Sequence, residues 1–215
     1  MIAPGLIVDE SGKLRCAWRD AAPEYRDYHD LEWGRPVLDD LRLFEKICLE
    51  GFQAGLAWIT ILRKREAFRQ AFDGFDFQRI ADYSEVDLER LMVNAGIVRN
   101  RRKILSVVNN ARRCMELVER HGSLATFMWS FAPSAEERPA VVDFDFWRTS
   151  PTSAAAARLS KRLKENGWSF VGPTTMHALM QATGMVNDHL EGCVCREEIE
   201  TARRASYQQN NSLFQ

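Results

Sequence analysis

Two amphipathic helical patterns that follow each other at close range limit the folds open to this chain. The first begins at the capping-box variant Ser84-Glu85-Val86-Asp87 and ends at Asn94-Ala95-Gly96. The second, over residues 103–119, carries apolar side chains on one face, and only Gly96 to Asn100 separate it from the first. This spacing predicts a tight helix-hairpin-helix at about residues 84–119.

The helical periodicity continues elsewhere in the chain. Asp39 and Asp40 can cap a helix start. Apolar residues then recur at helical spacing, at Leu41, Phe44, Ile47 and Cys48. Gly51 and Gly55 bracket a predicted loop, and further helices are predicted at about 56–72, 153–164 and 173–183. Since no stretch of strict alternation rivals these patterns, we expect an all-α fold.

We expect one compact domain with short extensions. The 215 residues, 46% of them apolar, suffice for a core. We place the domain at residues 14–200, an extension at 1–13 and a polar tail at 201–215. No apolar stretch approaches the roughly 20 residues that cross a bilayer. Because the first residues lack a secretory signal, we expect a cytoplasmic protein without disulfides.

The net charge of −1 argues against general attraction to nucleic acid, which rests on Lys and Arg neutralising phosphates. Basic residues nevertheless cluster at 63–69, 99–103 and 158–164. Each cluster is either a set of phosphate contacts or a solvated helix face, and the sequence leaves both interpretations open.

Four potential metal ligands lie near the two ends of the chain, namely Cys16, His29, His189 and Cys193. Two cysteines and two histidines form a closed tetrahedral zinc set without a position for water, so such a zinc would be structural. The long separation lacks the signature of a zinc finger, and cysteine is also a common core residue, so spacing alone leaves the metal open. Cys195 is a competing ligand.

A carboxylate interrupts the apolar and aromatic segment Cys48 to Trp58. At this position Glu50 either pairs with a structural Arg or Lys or awaits a cationic or hydrogen-donating ligand, because an isolated buried carboxylate is costly. Nearby aromatic residues could stack on a flat ring or belong to the core. They are Tyr25, Tyr28, Trp33 and Trp58.

The predicted hairpin offers a second kind of site. Its backbone N–H groups and the positive end of the following helix can point at one phosphate. Gly96 permits a close approach, and Arg99 adds charge beside it. An ordinary packing hairpin with a basic rim explains the same residues equally well.

Taken together, these stretches resemble the 3-methyladenine DNA glycosylase I family from about Leu14 to Cys195. Each motif is weak, but their order along the chain is specific. The segments that carry the resemblance are Arg15-Cys16-Ala17-Trp18, Tyr28-His29-Asp30-Leu31-Glu32-Trp33-Gly34, Ile47 to Leu56, Asn94 to Arg99, Gly167 to Thr175, and Met180 to Cys193.

The resemblance implies a helix-hairpin-helix DNA glycosylase fold whose N- and C-terminal segments are tied by a structural zinc. The family's zinc-ligand positions fall on Cys16, His29, His189 and Cys193. Its catalytic carboxylate, which contacts the alkylated base, falls on Glu50. The residues implied to bind the substrate are Tyr25, Tyr28, Gln53, Leu56 and Trp58, with Leu56 filling the DNA near the vacated base. The residues implied to bind DNA are Gly96, Ile97, Val98 and Arg99.

The implied activity is monofunctional hydrolysis of the N-glycosidic bond of 3-methyladenine in double-stranded DNA, a step of base excision repair. Methylation at N3 makes the base a cation and a good leaving group. The enzyme flips the nucleotide out and holds the cationic base between aromatic rings against Glu50. We expect a monomer.

Two other functions stay open at this stage. One is a noncatalytic zinc-containing DNA-binding relative, and the other is a zinc hydrolase, against which four available ligands argue. Phe52 and Ala57 stand where the resemblance leads us to expect polar residues, often Gln and Ser. We therefore expect the DNA-facing loop or the pocket edge to differ from the family pattern.

Overall fold

The computed structural model describes residues 1–212 of the chain, with side chains through residue 206. Positions 213–215 of the predicted tail lie outside the described residues. The α-helices are α1 (Pro23–Asp27), α2 (Asp40–Gln53), α3 (Trp58–Ala71), α4 (Phe77–Ala81), α5 (Glu85–Val93), α6 (Arg101–His121), α7 (Leu124–Trp129), α8 (Phe144–Thr149), α9 (Ala154–Glu165), α10 (Pro173–Ala182) and α11 (Arg196–Ser212). The prediction of a predominantly helical chain is confirmed.

The predicted helix-hairpin-helix is present as α5 and α6. Ser84 and Asp87 form the capping box that opens α5. The side chain of Asn100 caps α6 by accepting a hydrogen bond from the Lys103 backbone N–H at 3.2 Å. The apolar stripe of α6 is buried from Ile104 onwards. Both caps satisfy backbone donors that a helix start leaves without partners.

Helix α2 runs through the core and is buried over the whole of residues 43–52. It packs against α3, α6, α7 and α10. Three charged or polar side chains of this helix are therefore buried, namely Glu45, Lys46 and Glu50. Each needs a hydrogen-bond or ion-pair partner, because burying a polar group without one is costly.

Helix α2 also differs from the prediction at its end. It continues through Gly51 to Gln53, so the predicted loop is shorter than Gly51 to Gly55. A glycine inside a helix costs only about 1 kcal/mol relative to alanine. A Cβ at Gly51 would lie 3.3 Å from that of Phe170, so the close packing of Phe170 favours a residue without a side chain.

The prediction of an all-α chain misses a hairpin of two three-residue strands, β1 (Leu6–Val8) and β2 (Leu14–Cys16). The strands pair antiparallel, with Leu6 opposite Cys16. They are too short to show alternation in the sequence. The Leu14 carbonyl accepts a hydrogen bond from Val194 N–H at 2.9 Å, so the hairpin is attached to the C-terminal segment.

Two further helices were not predicted to their full extent. No helix was predicted between residues 119 and 153, but Asp143 caps α8 there. Helix α11 continues past residue 200, where we placed the start of a polar tail. Arg203 in this helix is buried and donates a hydrogen bond to the Met185 carbonyl at 2.9 Å. No helix among the described residues is both long and apolar enough to cross a membrane.

Candidate active site and metal centre

A cavity of about 500 Å³ lies beside the end of α2, and we call it the Glu50 cavity. It is lined by side chains from α1, α2, α3 and α10 and from the π-helical segment Tyr28–Glu32. Five residues predicted from the sequence line it together, namely Tyr25, Tyr28, Glu50, Gln53 and Trp58. Trp33, which was proposed only as a stacking aromatic, also lines it.

Glu50 is the unusual group in this cavity. Helix α2 buries two carboxyl groups and one amine, of which Glu45 pairs with Arg69 at 2.9 Å and Lys46 pairs with Glu32 at 2.7 Å. Glu50 is 4% exposed, and its Oε2 has no hydrogen-bond partner within residues 1–206. Burial raises the pKa of Glu50 to about 8, although the charge of Lys46 opposes the rise. A carboxyl in this state favours a cationic or hydrogen-donating ligand.

Aromatic rings form much of the wall around Glu50. The Tyr28 and Trp58 ring centroids lie 5.6 Å apart at an interplanar angle of 45°. The Nε1 of Trp58 is buried and lacks an acceptor within the described side chains. Trp18 and Trp147 complete the wall, although neither was predicted to line the pocket.

His177 was also missed by the sequence analysis. It lies on α10 and lines the Glu50 cavity at 5% exposure. Neither ring nitrogen has a hydrogen-bond partner in the described part of the chain. Its Nε2 is 3.6 Å from the Asp188 carboxylate, which accepts a hydrogen bond from Gln181 at 2.7 Å. Thr174, His177 and Gln181 recur one turn apart on α10 and all line the cavity, but this spacing alone does not distinguish a pocket wall from a core face.

The loop after α2 places Leu56 at the edge of the site. Leu56 is 40% exposed and lines a recess that shares Glu50 and Gln53 with the cavity. Phe52 does not face this recess. It is 1% exposed and its ring packs 4.5 Å from that of Phe68, so our expectation that Phe52 alters the DNA-facing loop or pocket edge is not supported by its position.

The hairpin lies between α5 and α6, and its N–H groups fall into two sets. Those of Gly96 and Ile97 bond to Asn94 atoms at 2.8 and 3.4 Å. Those of Val98 and Arg99 have no acceptor within residues 1–212. The Arg99 side chain is exposed. The second set is therefore free to bind an anion.

The basic cluster at 63–69 is largely occupied by internal ion pairs. Arg63 pairs with Glu24 at 2.7 Å, and Arg69 pairs with Glu45. Lys64 donates hydrogen bonds to the Ala95 and Gly96 carbonyls at 3.0 and 3.1 Å. Lys64 therefore supports the hairpin. In the cluster at 158–164, Arg158 pairs with Glu137 at 2.7 Å.

The structure also brings residues from both ends of the chain into one buried cluster. Ligand atoms of His29, His189, Cys193 and Cys195 all lie within 4.8 Å of one another. Gly184 makes this approach possible, because a Cβ there would lie 2.6 Å from the Gly34 carbonyl oxygen. The predicted ligands His29, His189 and Cys193 are therefore neighbours, and Cys195 joins them.

Three observations indicate that the cluster fits a metal ion. The Nε2 of His189 is buried without a partner in residues 1–206. Burial lowers the pKa of His189 to about 4, which keeps the imidazole neutral, as a metal ligand must be. The Cys193 sulfur lies 3.6 Å from His29 Nε2. Ligand atoms on a tetrahedral zinc with ordinary bond lengths are about 3.6 Å apart.

The second thiol of this cluster, beside Cys193, is either Cys195 or the predicted ligand Cys16. His29 Nδ1 lies 2.6 Å from the Asp30 carboxylate, which leaves Nε2 for a metal. Cys195 lies on the Nδ1 side of the ring, at 3.9 Å, and 3.7 Å from Asp30. Cys16 is fully buried, and both Cys16 and Cys195 interact with Cys193. The predicted ligand Cys16 is not among the four residues whose ligand atoms all lie within 4.8 Å of one another, where Cys195 takes its place.

Comparisons with known proteins place these features in one group of enzymes. Residues 18–197 match the family profile described as methyladenine glycosylase. DNA-3-methyladenine glycosylase 1 of Escherichia coli is 46% identical over 182 residues, which are 84% of this chain and 96% of that protein. DNA-3-methyladenine glycosylase of Haemophilus influenzae is 44% identical over 183 residues, 85% and 97% of the two chains.

Solved structures give the same result. The structure of 3-methyladenine DNA glycosylase I from Staphylococcus aureus, which concerns 3-methyladenine recognition, superposes on this chain with a TM-score of 0.78. The two sequences are 34% identical, and the match covers 85% of this chain and 96% of the other. The region matched by the family profile contains Glu50, the hairpin and three of the predicted metal ligands.

Proposed function

Because the chain belongs to the methyladenine glycosylase family, we propose that it hydrolyses the N-glycosidic bond of 3-methyladenine in alkylated double-stranded DNA and releases the base. The observation that carries this proposal is Glu50, a buried carboxyl without a partner for Oε2 in an aromatic cavity. The buried carboxyl group of Glu45 and the buried amine of Lys46 on the same helix have protein partners. Glu50 is thus the acidic group of this helix left available to a ligand.

The chemistry of the substrate explains why such a group is useful. A nucleotide methylated at N3 of adenine carries a positive charge on the base, so the bond from the base to C1′ of the sugar is already weak. When this bond breaks, its electron pair stays with the base, which leaves neutral. Water adds to C1′ and loses a proton. The negative form of Glu50 holds the cationic base in place, and the approaching cation shifts the carboxyl from its protonated to its ionised form.

We assign the surrounding residues roles in binding the flipped nucleotide from their positions. Tyr28 and Trp58 face the base and exclude water from it. Leu56 and Gln53, at the edge of the recess, occupy the place that the flipped nucleotide leaves in the duplex. Val98 and Arg99 hold a phosphate through the hairpin N–H groups and the start of α6.

No lysine lines the cavity among residues 1–206. A glycosylase that also cuts the strand forms a Schiff base through an amine, and a lysine is the usual source of that amine. The composition of the cavity wall therefore supports a monofunctional enzyme, with water as the nucleophile.

We also propose that the cluster at the chain ends holds a structural zinc. His29 through Nε2, His189 through Nε2, Cys193 and Cys16 would be the ligands, since Cys195 lies on the other side of the His29 ring. Four protein ligands leave no position for substrate. The zinc would join the segments that carry Tyr28 and Asp188 and so stabilise the cavity.

The experiment that tests the function is chromatography of the bases that purified protein releases from methylated DNA. The parent protein is expected to release 3-methyladenine, and Glu50→Gln to release it at least about tenfold more slowly, since Gln lacks the charge that holds a cationic base. Folding of the variant is checked by circular dichroism. DNA binding without release by the folded parent would leave a noncatalytic DNA-binding relative.

A further inference from the structure

Glu32 joins cations from two different helices. Its Oε1 accepts a hydrogen bond from Lys46 Nζ at 2.7 Å, and its Oε2 accepts one from Arg65 Nη1 at 2.5 Å. Burial alone would raise the pKa of Glu32, but Lys46 and Arg65 lower it to about 2. Both carboxylate oxygens are therefore committed to these ion pairs at neutral pH.

Each member of this network shares a helical segment with one wall of the Glu50 cavity. The pairs are Tyr28 and Glu32, Lys46 and Glu50, and Trp58 and Arg65. Members of a pair are four residues apart in the first two cases and seven apart in the third. Residues at these spacings lie on the same side of a helix, so the ion pairs join the three segments on the side where they meet the cavity.

From this arrangement we propose that Glu32, Lys46 and Arg65 are positioning residues, which fix the Tyr28, Glu50 and Trp58 walls relative to one another and set the charge on Glu50. The proposal rests on the proposed function, because it assigns the network to the recognition of the base. It concerns residues that do not line the cavity themselves.

The electrostatics support a role beyond packing. Lys46 is 5% exposed, lies one turn from Glu50 and is the charge that opposes the effect of burial on the pKa of Glu50. Tyr28 and Tyr25 line the cavity, and burial raises the pKa of both, so they are neutral. His177 and Asp188 line it from α10 and the segment after it.

The positive charge near Glu50 thus comes from the network. Removing Lys46 should leave Glu50 protonated to higher pH, because the charge that favours the carboxylate is lost. Neutralising Glu32 should have the opposite effect, because it leaves the charges of Lys46 and Arg65 without their counter-ion. A merely structural network would not produce opposite changes.

The test compares Lys46→Met and Glu32→Gln with the parent. The first readout is the titration of the Glu50 carboxyl carbon by NMR in protein labelled with 13C-glutamate, with the resonance assigned through Glu50→Gln. The midpoint is expected to move up by about one pH unit in Lys46→Met and down by a similar amount in Glu32→Gln. The second readout is the pH profile of 3-methyladenine release from methylated DNA, which should move in the same directions.

Glu45→Gln is the matched control. Glu45 is also buried on α2 and pairs with Arg69 of α3, but it does not line the cavity. Glu45→Gln should lower the free energy of unfolding without shifting the NMR titration of Glu50 or the pH profile of base release. Midpoints in Lys46→Met and Glu32→Gln that stay at the parent value, or that move in the same direction, would overturn the proposal. Absence of base release by the parent would reject the proposed function. The NMR titration would still decide whether the network sets the charge on Glu50.

Discussion

Lys103 donates a hydrogen bond from Nζ to the carbonyl oxygen of Phe52 at 2.7 Å and thereby ties the first turn of α6 to the end of α2. The same ammonium donates to the Ala54 carbonyl at 2.6 Å. These carbonyls lie at a helix end, where no backbone N–H of the helix can reach them. The hairpin between α5 and α6 and the helix that carries Glu50 are therefore held by one buried cation, which is 6% exposed.

Replacing this cation should be costly. Lys103→Met removes a charged donor and leaves two carbonyls unpaired in a buried place, so we expect the free energy of unfolding to fall by roughly 2 to 4 kcal/mol. Urea denaturation measures the change. Lys161→Met, at an exposed position of α9, should stay within about 0.5 kcal/mol of the parent. Equal stabilities for Lys103→Met and Lys161→Met would show that the two hydrogen bonds contribute nothing.

The sequence predicted the site residues where local pattern and chemistry agreed. Glu50 stood out as a carboxylate among apolar residues, although its neighbours left open whether it pairs with a structural Arg or Lys, and only the family resemblance implied its role. The hairpin was identifiable from capping signals and spacing. His177 was not, because a histidine on an apolar helix face is usually a core residue. Its role depends on Asp188, Trp58 and Glu50 facing the same cavity, a long-range arrangement that no local period encodes.

The fold was likewise predictable where the signals are local and unpredictable where they depend on distant residues. The strand hairpin at residues 6–16 escaped prediction because its strands are three residues long, and their stability comes from contact with the C-terminal segment. Phe52 was expected to alter the DNA-facing loop or the pocket edge, because it stands where the family resemblance leads us to expect a polar residue. The continuation of α2 through Gly51 instead turns it into the core against Phe68.

The raised pKa of Glu50 should make stability depend on pH. The folded protein binds this proton up to about pH 8, whereas an unfolded chain releases it near pH 4.5. Stability must therefore fall as pH rises between these values, and Glu50→Gln should lack that fall. We expect Glu50→Gln to gain about 4 kcal/mol over the parent between pH 5 and pH 9 in urea denaturation.

Glu89→Gln, an exposed substitution on α5, controls for a general effect of removing a carboxylate. Its stability should follow that of the parent at every pH. A constant difference between Glu50→Gln and the parent from pH 5 to pH 9 would mean that Glu50 is ionised in the free protein.

Metal content should show whether Cys16 or Cys195 is the second thiol ligand beside Cys193. The parent is expected to contain about one zinc ion per chain, and Cys16→Ser to lose most of it with a lower Tm. Cys195→Ser should retain the zinc, because its sulfur lies on the Nδ1 side of the His29 ring. Elemental analysis by mass spectrometry gives the zinc content. The reverse pattern would assign Cys195 as the ligand.

His177 should contribute to binding of the base. His177→Phe keeps a ring in the cavity wall but removes both nitrogens, so we expect affinity for free 3-methyladenine, measured by calorimetry, to fall about tenfold. His121→Phe, at an exposed position, should leave the affinity unchanged. If His177→Phe binds as tightly as the parent, the histidine only fills space.

Leu56 should act on duplex DNA and not on the free base. Its exposed side chain lies at the edge of the recess, where it can fill the gap that a flipped nucleotide leaves. In Leu56→Ala we expect single-turnover release from duplex DNA to slow by roughly tenfold, since a buried leucine side chain contributes about 1.5 to 3 kcal/mol. Calorimetry should show unchanged affinity for free 3-methyladenine. Leu41→Ala is the matched control, because Leu41 is 41% exposed but lies at the opposite end of α2. A parallel loss of duplex activity and free-base affinity in Leu56→Ala would instead place Leu56 in the wall of the base pocket.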